Sequence, residues 1–292
     1  MVFFGKTEIS AILLTIFLSL CFNGACEGSG VAMPGPVDCM FPVESKMVSK
    51  ADISLVRSLS DKKSREQCGM FVVEGRKMVA EALASSLNVG RVFGTEEFAD
   101  MDGCETVSQK EVERMSSLRA PQGILALVDM PRYDFPSAPG LNELMLALDG
   151  VQDPGNLGTI MRLADWFGIR DIICSRDTVD CFGPKVVQAS MGAIFRVRVH
   201  YCDLANVLRG IRAPVFGTFL EGENIYNTEL DGRRGVIVLG NEGKGISGAV
   251  ASTVTRKLFI PPYPEGSHGS ESLNVGVAAA IVCSEFRRRS HS

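Results

Sequence analysis

Apolar positions recur along this chain in two rhythms. In residues 49–59, Ile53, Val56 and Leu59 fall on one side of a 3.6-residue helix, with Ser49 placed to cap it. MFVVEG at 70–75 is a short apolar run closed by a turn glycine, the mark of a buried strand. A helix returns over 77–86 and a polar helix is expected around 109–115. Further strands are expected at 89–93, 106–107 and 124–128. Residues 47–130 thus read as a small α/β unit. PRYDFPSAPGLN at 131–142 holds three prolines and one glycine without a hydrophobic period, which reads as a linker.

From Leu144 onward strands and helices alternate. Strands are predicted at 144–149, 171–174, 196–200, 215–220, 235–240 and 257–260. Helices are predicted at 156–167, 184–193 with proline at the start, 204–211 and 273–288. This alternation implies an α/β fold, a mainly parallel sheet with helices on both faces. No internal repeat or low-complexity tract interrupts it.

The leading residues follow neither rhythm. ISAILLTIFLSLCF at 9–22 is uncharged and apolar, preceded by Lys6 and followed by Gly24, Ala25 and Cys26. It resembles a secretory signal of lipoprotein type and is short for a membrane span. Glu8 and Asn23 fit that pattern poorly. The preferred reading is translation from Met47, with 1–46 a signal-like or non-native extension and no membrane partner. The expected organisation is 1–46 extension, 47–130 small α/β domain, 131–142 linker and 143–289 second domain.

Composition adds bounds. The chain has 292 residues, 46% apolar and 22% charged, enough for two globular domains. Its net charge of -4 means that any nucleic-acid contact comes from a local patch. Residues 47–77 supply one: seven basic against four acidic side chains, including Lys62, Lys63 and Arg65. A solvated helix face explains the same residues. Nine cysteines occur without a C-x-x-C pair, and the histidines are His200, His268 and His291, so zinc-type spacing is absent. Cys174 and Cys283 lie in apolar runs as small buried hydrophobes. The pattern suits a reducing compartment, the cytoplasm.

Three constellations carry chemistry. In DGVQDPGNLGTIMRLADWFGI (149–169) a strand meets a Pro-Gly turn and then a helix, a loop at the carboxyl edge of a parallel sheet where ligands sit. Asn156 can cap that helix and face a ligand. Arg162 shares the helix with Ile160, Leu163, Ala164 and Phe167, and by itself reads as a solvated charge. VIVLGNEGKGIS (236–247) runs from a strand into Gly240, Gly243 and Gly245, which permit close backbone approach; a structural turn would also explain them. The spacing is not a dinucleotide fingerprint, which counts against a nucleotide-dependent oxidoreductase. In residues 258–289 a strand breaks at Pro261 and Pro262. Ser272 and Asn274 then open a helix of small residues ending in Arg287, Arg288 and Arg289, a basic end suited to the helix dipole.

Taken in order, N-x-G-T-I-x-R at 156–162, L-G-x-E-G-x-G at 239–245 and I-P…S-L-N-V at 260–275 resemble the three motifs of the SpoU/TrmH family of the SPOUT superfamily. Residues 47–128 are similar to that family's substrate-binding domain through Ser58, Lys62, Arg65, Phe71, Glu74, Gly75 and PQGILALV. The resemblance implies a trefoil-knotted SPOUT-type sheet, a homodimer and no metal. It implies S-adenosyl-L-methionine as methyl donor and methylation of a ribose 2′-hydroxyl in tRNA or large-subunit rRNA. It places Asn156, Arg162 and Glu242 in catalysis. Leu239, Gly240, Ile260, Leu273, Ser272 and Asn274 would surround the cofactor, and Lys62, Lys63 and Arg65 would hold RNA. Gly276 stands where some members carry Ser. Arg162 is expected to act as a cation on phosphate and developing alkoxide rather than as a base, since guanidinium stays charged. Glu242 is expected to position Arg162 or the substrate. The alternatives are a non-catalytic RNA-binding protein that keeps the fold, and an exported or lipid-anchored protein.

Overall fold

A computed structural model describes residues 48–264 and 272–290. The signal-like stretch, Met47, His268 and His291 lie outside the described residues. Among the described residues no helix is long and apolar enough to cross a membrane.

Helix α1 (Lys50–Ser58) starts at a capping box: Ser49 Oγ accepts from the Asp52 amide at 3.1 Å, and Asp52 Oδ2 accepts from the Ser49 amide at 3.0 Å. It buries Ile53 and Val56. Helix α2 (Lys62–Cys68) is capped by Asp61 and ends at Gly69, whose φ of 66° is left-handed. The apolar period does not predict it, because KKSREQC has no apolar face. Then follow β1 (Met70–Glu74), α3 (Arg76–Leu83), β2 (Val89–Gly94), β3 (Cys104–Thr106), α4 (Gln109–Met115) and β4 (Ile124–Asp129). They build a four-stranded mixed sheet in the order β1-β4-β2-β3.

The second sheet holds β5 (Leu144–Asp149), β6 (Asp171–Ser175), β7 (Arg198–Cys202), β8 (Val215–Asn224), β9 (Gly235–Gly240) and β10 (Arg256–Phe259). Its order is β10-β8-β9-β5-β6-β7 and every neighbouring pair is parallel. Between the strands run α5 (Pro154–Trp166), α6 (Pro184–Ser190), α7 (Leu204–Gly210), α8 (Gly248–Ala251) and, last, α9 (Val275–Ser290). Central β5 and β9 are buried at every residue, as strands covered on both faces must be. Their side chains alternate between two cores. Leu146, Leu148, Ile237 and Leu239 pack with Ile160 of α5 and Ala279, Val282 and Phe286 of α9. Met145, Ala147, Val236 and Val238 pack with Leu204 and Leu208 of α7 and Val250 of α8. Each fully buried Leu, Ile, Val, Met or Phe among them stabilises by about 1.5–3 kcal/mol. The first of these cores also takes in Phe71, Val73, Met78 and Val79, so it runs through both sheets.

Besides α2 and the short α8, which no apolar period predicts, other segments differ from the expectation. The helix expected over 184–193 stops at Ser190, because Met191 and Gly192 turn left-handed at φ 49° and 92°. Strand β8 runs on to Asn224, where its far end pairs with β10 after a register shift. Residues 131–142 form no regular element, yet Tyr133 and Phe135 lie edge-on to His200 at ring distances of 6.2 and 5.5 Å. His200 contacts the buried Asp171 at 2.7 Å.

Candidate active site

Because β5, β9 and β10 are parallel, their carboxyl ends share one edge of the sheet, and the three motif loops leave from that edge. The β5 loop is pinned first. Gly150 turns at φ 72° and its amide donates to Ser175 Oγ at 2.8 Å. Asp149 Oδ2 accepts from the Ser247 amide at 2.7 Å. Helix α5 then begins with Pro154 in its first turn, capped by Asp153, whose Oδ1 accepts from the Asn156 amide at 2.8 Å. The cap is therefore Asp153, not Asn156, and the Asn156 side chain is free to face outward.

That side chain joins all three motifs. Asn156 Nδ2 donates to Glu242 Oε1 at 2.9 Å, and Asn274 Nδ2 donates to Asn156 Oδ1 at 2.9 Å. Asn274 Oδ1 in turn accepts from the amides of Gly276 and Val277, at 2.9 and 3.2 Å, and so caps α9. The direction of this chain follows from chemistry. An ionised carboxylate only accepts, so Asn156 must show it the amide nitrogen, which leaves the oxygen for Asn274. Burial raises the Glu242 pKa. Hydrogen bonds from Asn156, from its own amide and from the Gln152 and Asp153 amides outweigh that, and hold the carboxyl below its ordinary value.

The β9 loop closes on itself. Asn241 Oδ1 accepts from the Gly243 and Lys244 amides at 2.9 and 3.0 Å, while its Nδ2 donates to Gly150 O at 2.6 Å. Asn241 and Gly245 exchange backbone hydrogen bonds at 3.0 and 2.9 Å. A Cβ on Gly240 would stand 2.3 Å from the Gly245 carbonyl carbon, so this glycine serves the loop's own closure. Gly158 has a like reason on α5: its Cβ would meet that of Ala189 on α6 at 2.4 Å.

The profile of the SpoU rRNA methylase family matches residues 143–284, and that of an MRM3-like substrate binding domain matches residues 50–126. The chain is 30% identical over 240 residues to the 23S rRNA (guanosine(2553)-2′-O)-methyltransferase RlmP of Bacillus subtilis, covering 79% of this chain and 94% of that protein. The chain belongs to the SpoU methylase family. A solved structure of a TrmH-family protein from Porphyromonas gingivalis is 40% identical, with a TM-score of 0.75 over 84% of this chain and 100% of that one. The AdoMet-bound rRNA methyltransferase of Sinorhizobium meliloti is 28% identical, with a TM-score of 0.73 over 84% of this chain and 98% of that one.

Against this SpoU-family frame the remaining expected residues fall into distinct settings. Leu239 is fully buried, with its side chain in the core, so only its backbone faces the loop edge. Gly240 is buried, Ile260 is half-buried, and Ser272 and Leu273 are exposed. Leu273 leaves 50% of its surface open beside Asn274. Arg162 is exposed on α5 and has no ion pair or side-chain hydrogen bond among the described residues. Six residues place it about 120° around the helix from Asn156. Glu242 holds Asn156 and the loop amides and makes no ion pair with Arg162.

The three basic residues expected to act on RNA separate. Lys62 and Lys63 are exposed; Lys62 lies 3.8 Å from Glu66 and 6.0 Å over the Tyr201 ring. Arg65 is 3% exposed, with its guanidinium on Asp180 and on the Leu59 and Ser60 carbonyls. Its observed contacts are internal.

Sequence reading missed Asp153, Asn241 and Gly158. Asp-Pro-Gly before the helix was a readable signal for the cap. Nothing in sequence marks Ala189 as the neighbour of Gly158. Cys174 and Cys283 are buried as expected, and burial pushes the Cys283 thiol up to about 12.

Proposed function

We propose that this protein transfers a methyl group from S-adenosyl-L-methionine to a ribose 2′-hydroxyl of tRNA or ribosomal RNA. The observation that carries the reading is the Glu242–Asn156–Asn274 chain, which ties the three motif loops into one edge. That edge suits the donor chemically. It pairs an ionised carboxylate with the open side chain of Leu273 and the half-buried Ile260, a combination matched to a ligand that is cationic at one end and flat and apolar at the other.

The bound donor supplies a sulfonium methyl open to in-line attack. The protein's contribution is positioning and electrostatics. The backbone at Leu239 and Gly240 and the side chains of Ile260, Ser272 and Leu273 would hold the donor. The polar chain of Glu242, Asn156 and Asn274 fixes the loops around it. Arg162, exposed and without a partner among the described residues, is available to hold a substrate phosphate and stabilise charge building on the 2′-oxygen. Its guanidinium keeps its proton, so it acts as a cation and not as a base. Lys62 and Lys63 supply cations for RNA on the four-stranded-sheet side.

The same reading includes a homodimer, a trefoil knot and a cytoplasmic setting. A groove of about 610 Å³ between α5 and α9, lined by Leu163, Trp166, Phe167, Ala280 and Ile281, supports the dimer. Trp166 leaves 84% of its surface open there, an apolar cost that a second copy would remove. The return of α9 onto α5 and the β9 side of the sheet supports the knot. Six free cysteines among the described residues support a reducing compartment.

The test is to incubate the protein with labelled S-adenosyl-L-methionine and total RNA, then map 2′-O-methyl nucleotides by mass spectrometry. One new site, lost with Arg162→Ala while donor binding persists, is expected. Donor binding without methyl transfer to any RNA would leave a binding protein that keeps the fold.

A further inference from the structure

The buried Arg65 sits on a seam between the two sheets. Its side chain is 4% exposed and that of Asp180 is 15% exposed. Nε and Nη2 both donate to Asp180 Oδ2, at 3.2 and 2.6 Å, while Nη1 donates to Leu59 O at 2.7 Å and Ser60 O at 2.9 Å. One guanidinium therefore holds the turn between α1 and α2 and, 115 residues away, the loop after β6. A guanidinium fixes direction as well as distance, because its N–H groups are planar and rigid.

The same seam holds Phe71 against Phe182, with ring centroids 4.9 Å apart, and Gln188 Nε2 donating to Glu74 O at 2.9 Å. What lies beyond Asp180 gives the contact its meaning. Asp180 Oδ1 accepts from the Phe182 amide at 3.1 Å, which holds the loop's turn. Next to it, the Val179 amide donates to Val151 O at 2.9 Å. Tyr201 braces the same loop, donating to Val179 O at 2.5 Å and accepting from the Cys181 amide at 2.8 Å. Val151 directly precedes Gln152 and Asp153, whose amides donate to Glu242 at 3.4 Å each. A short bonded path thus runs from the substrate-side turn to the carboxylate that holds Asn156.

We propose that Arg65 and Asp180 are positioning residues: they fix the orientation of the four-stranded sheet, and of RNA held on it, relative to the Asn156–Glu242 edge. This rests on the methyl-transfer reading above. RNA held on a sheet free to tilt would present its 2′-hydroxyl in line only part of the time. Misplacement of about 1 Å can lower a rate roughly 100-fold without loss of binding.

The test uses two variants of the full chain. Arg65→Met with Asp180→Leu removes both charges together, so no lone buried charge remains to unfold the protein. Asp180→Asn keeps the acceptor for Phe182 and a neutral acceptor for Arg65 but removes the guanidinium's counter-charge, so denaturant unfolding first establishes that this variant is folded. Spin labels on Glu97→Cys and Arg209→Cys report the distance between the two sheets, in a background where Cys21, Cys26, Cys39, Cys68, Cys104 and Cys202 are replaced by serine and only the buried cysteines remain. In both variants the distance distribution should broaden. Single-turnover methylation at saturating RNA should fall about tenfold or more, smaller in Asp180→Asn. RNA and donor dissociation constants should stay within about twofold, as expected for contacts the substitutions do not touch. A distribution as narrow as wild type overturns the proposal. So does an unchanged rate at saturation, or a loss confined to RNA affinity, which would make Arg65 a direct RNA contact. If the wild-type protein methylates no RNA, the methyl-transfer reading fails, and the label distances still decide the orientation.

Discussion

Asn156 Nδ2 donates to Glu242 Oε1 at 2.9 Å, so a carboxylate on the β9 loop dictates which way an amide on the β5 loop points. Asn274 then reads that direction from the other side, at 2.9 Å. Asn156→Asp tests the relationship with almost no change of shape. It keeps the oxygen offered to Asn274 and turns the donor facing Glu242 into a second acceptor. A charged hydrogen bond contributes about 1.5–3 kcal/mol, so donor affinity should fall roughly 10- to 150-fold, measured by calorimetry. Affinity within twofold of wild type would remove Asn156 from the network's function.

The depressed pKa of Glu242 sets a pH dependence. Its folded value lies below its unfolded value, so its contribution is present above the unfolded carboxylate range, about 4.3, and is lost as pH falls through the folded value. Donor binding should be flat from pH 8 to about 5 and weaken only below the ordinary carboxylate range. Glu242→Gln should abolish that acidic step. A step centred between pH 6 and 7 would assign the titration to another group.

Gly158→Ala pushes a methyl into Ala189, 2.4 Å away. Helices α5 and α6 must separate, a change of the kind that costs about 1–3 kcal/mol. Denaturant unfolding should show that loss, and donor affinity should fall with it because Asn156 rides on α5. A stability equal to wild type would mean that α6 yields freely.

Lys62 and Lys63, exposed on α2, are expected to contact phosphate without Arg65. Replacing both by alanine should weaken RNA binding and reduce the slope of log affinity against log salt by about 1.4–1.8, the share of two phosphate contacts. An unchanged slope would return both lysines to the solvent-facing role.

Alternation of apolar runs made the parallel sheet legible, since LMLAL and GVIVLG leave no polar position for an exposed face. The order of strands was not legible, because crossovers and not residue patterns decide it. Helix α2 escaped for want of an apolar stripe: Asp61 and Gly69 bound it, and Arg65 is its one buried residue. At the site, the motif resemblance pointed to Asn156, Glu242 and Asn274 but could not say that they touch. Arg65 shows the limit most clearly. A cation among cations reads as a phosphate ligand until its partner, 115 residues on, is seen.

The continuous core gives the proline-rich segment 131–142 an unexpected character. By composition it marks a place to divide the chain, as in modular proteins whose parts are exchanged by recombination. Cutting there would strip Phe71 from Phe182 and Arg65 from Asp180, leaving each half with a raw apolar face and one unmatched ion. Chimeras between relatives should therefore succeed when both sides of that seam come from one parent, and aggregate when the crossover is placed by the prolines alone.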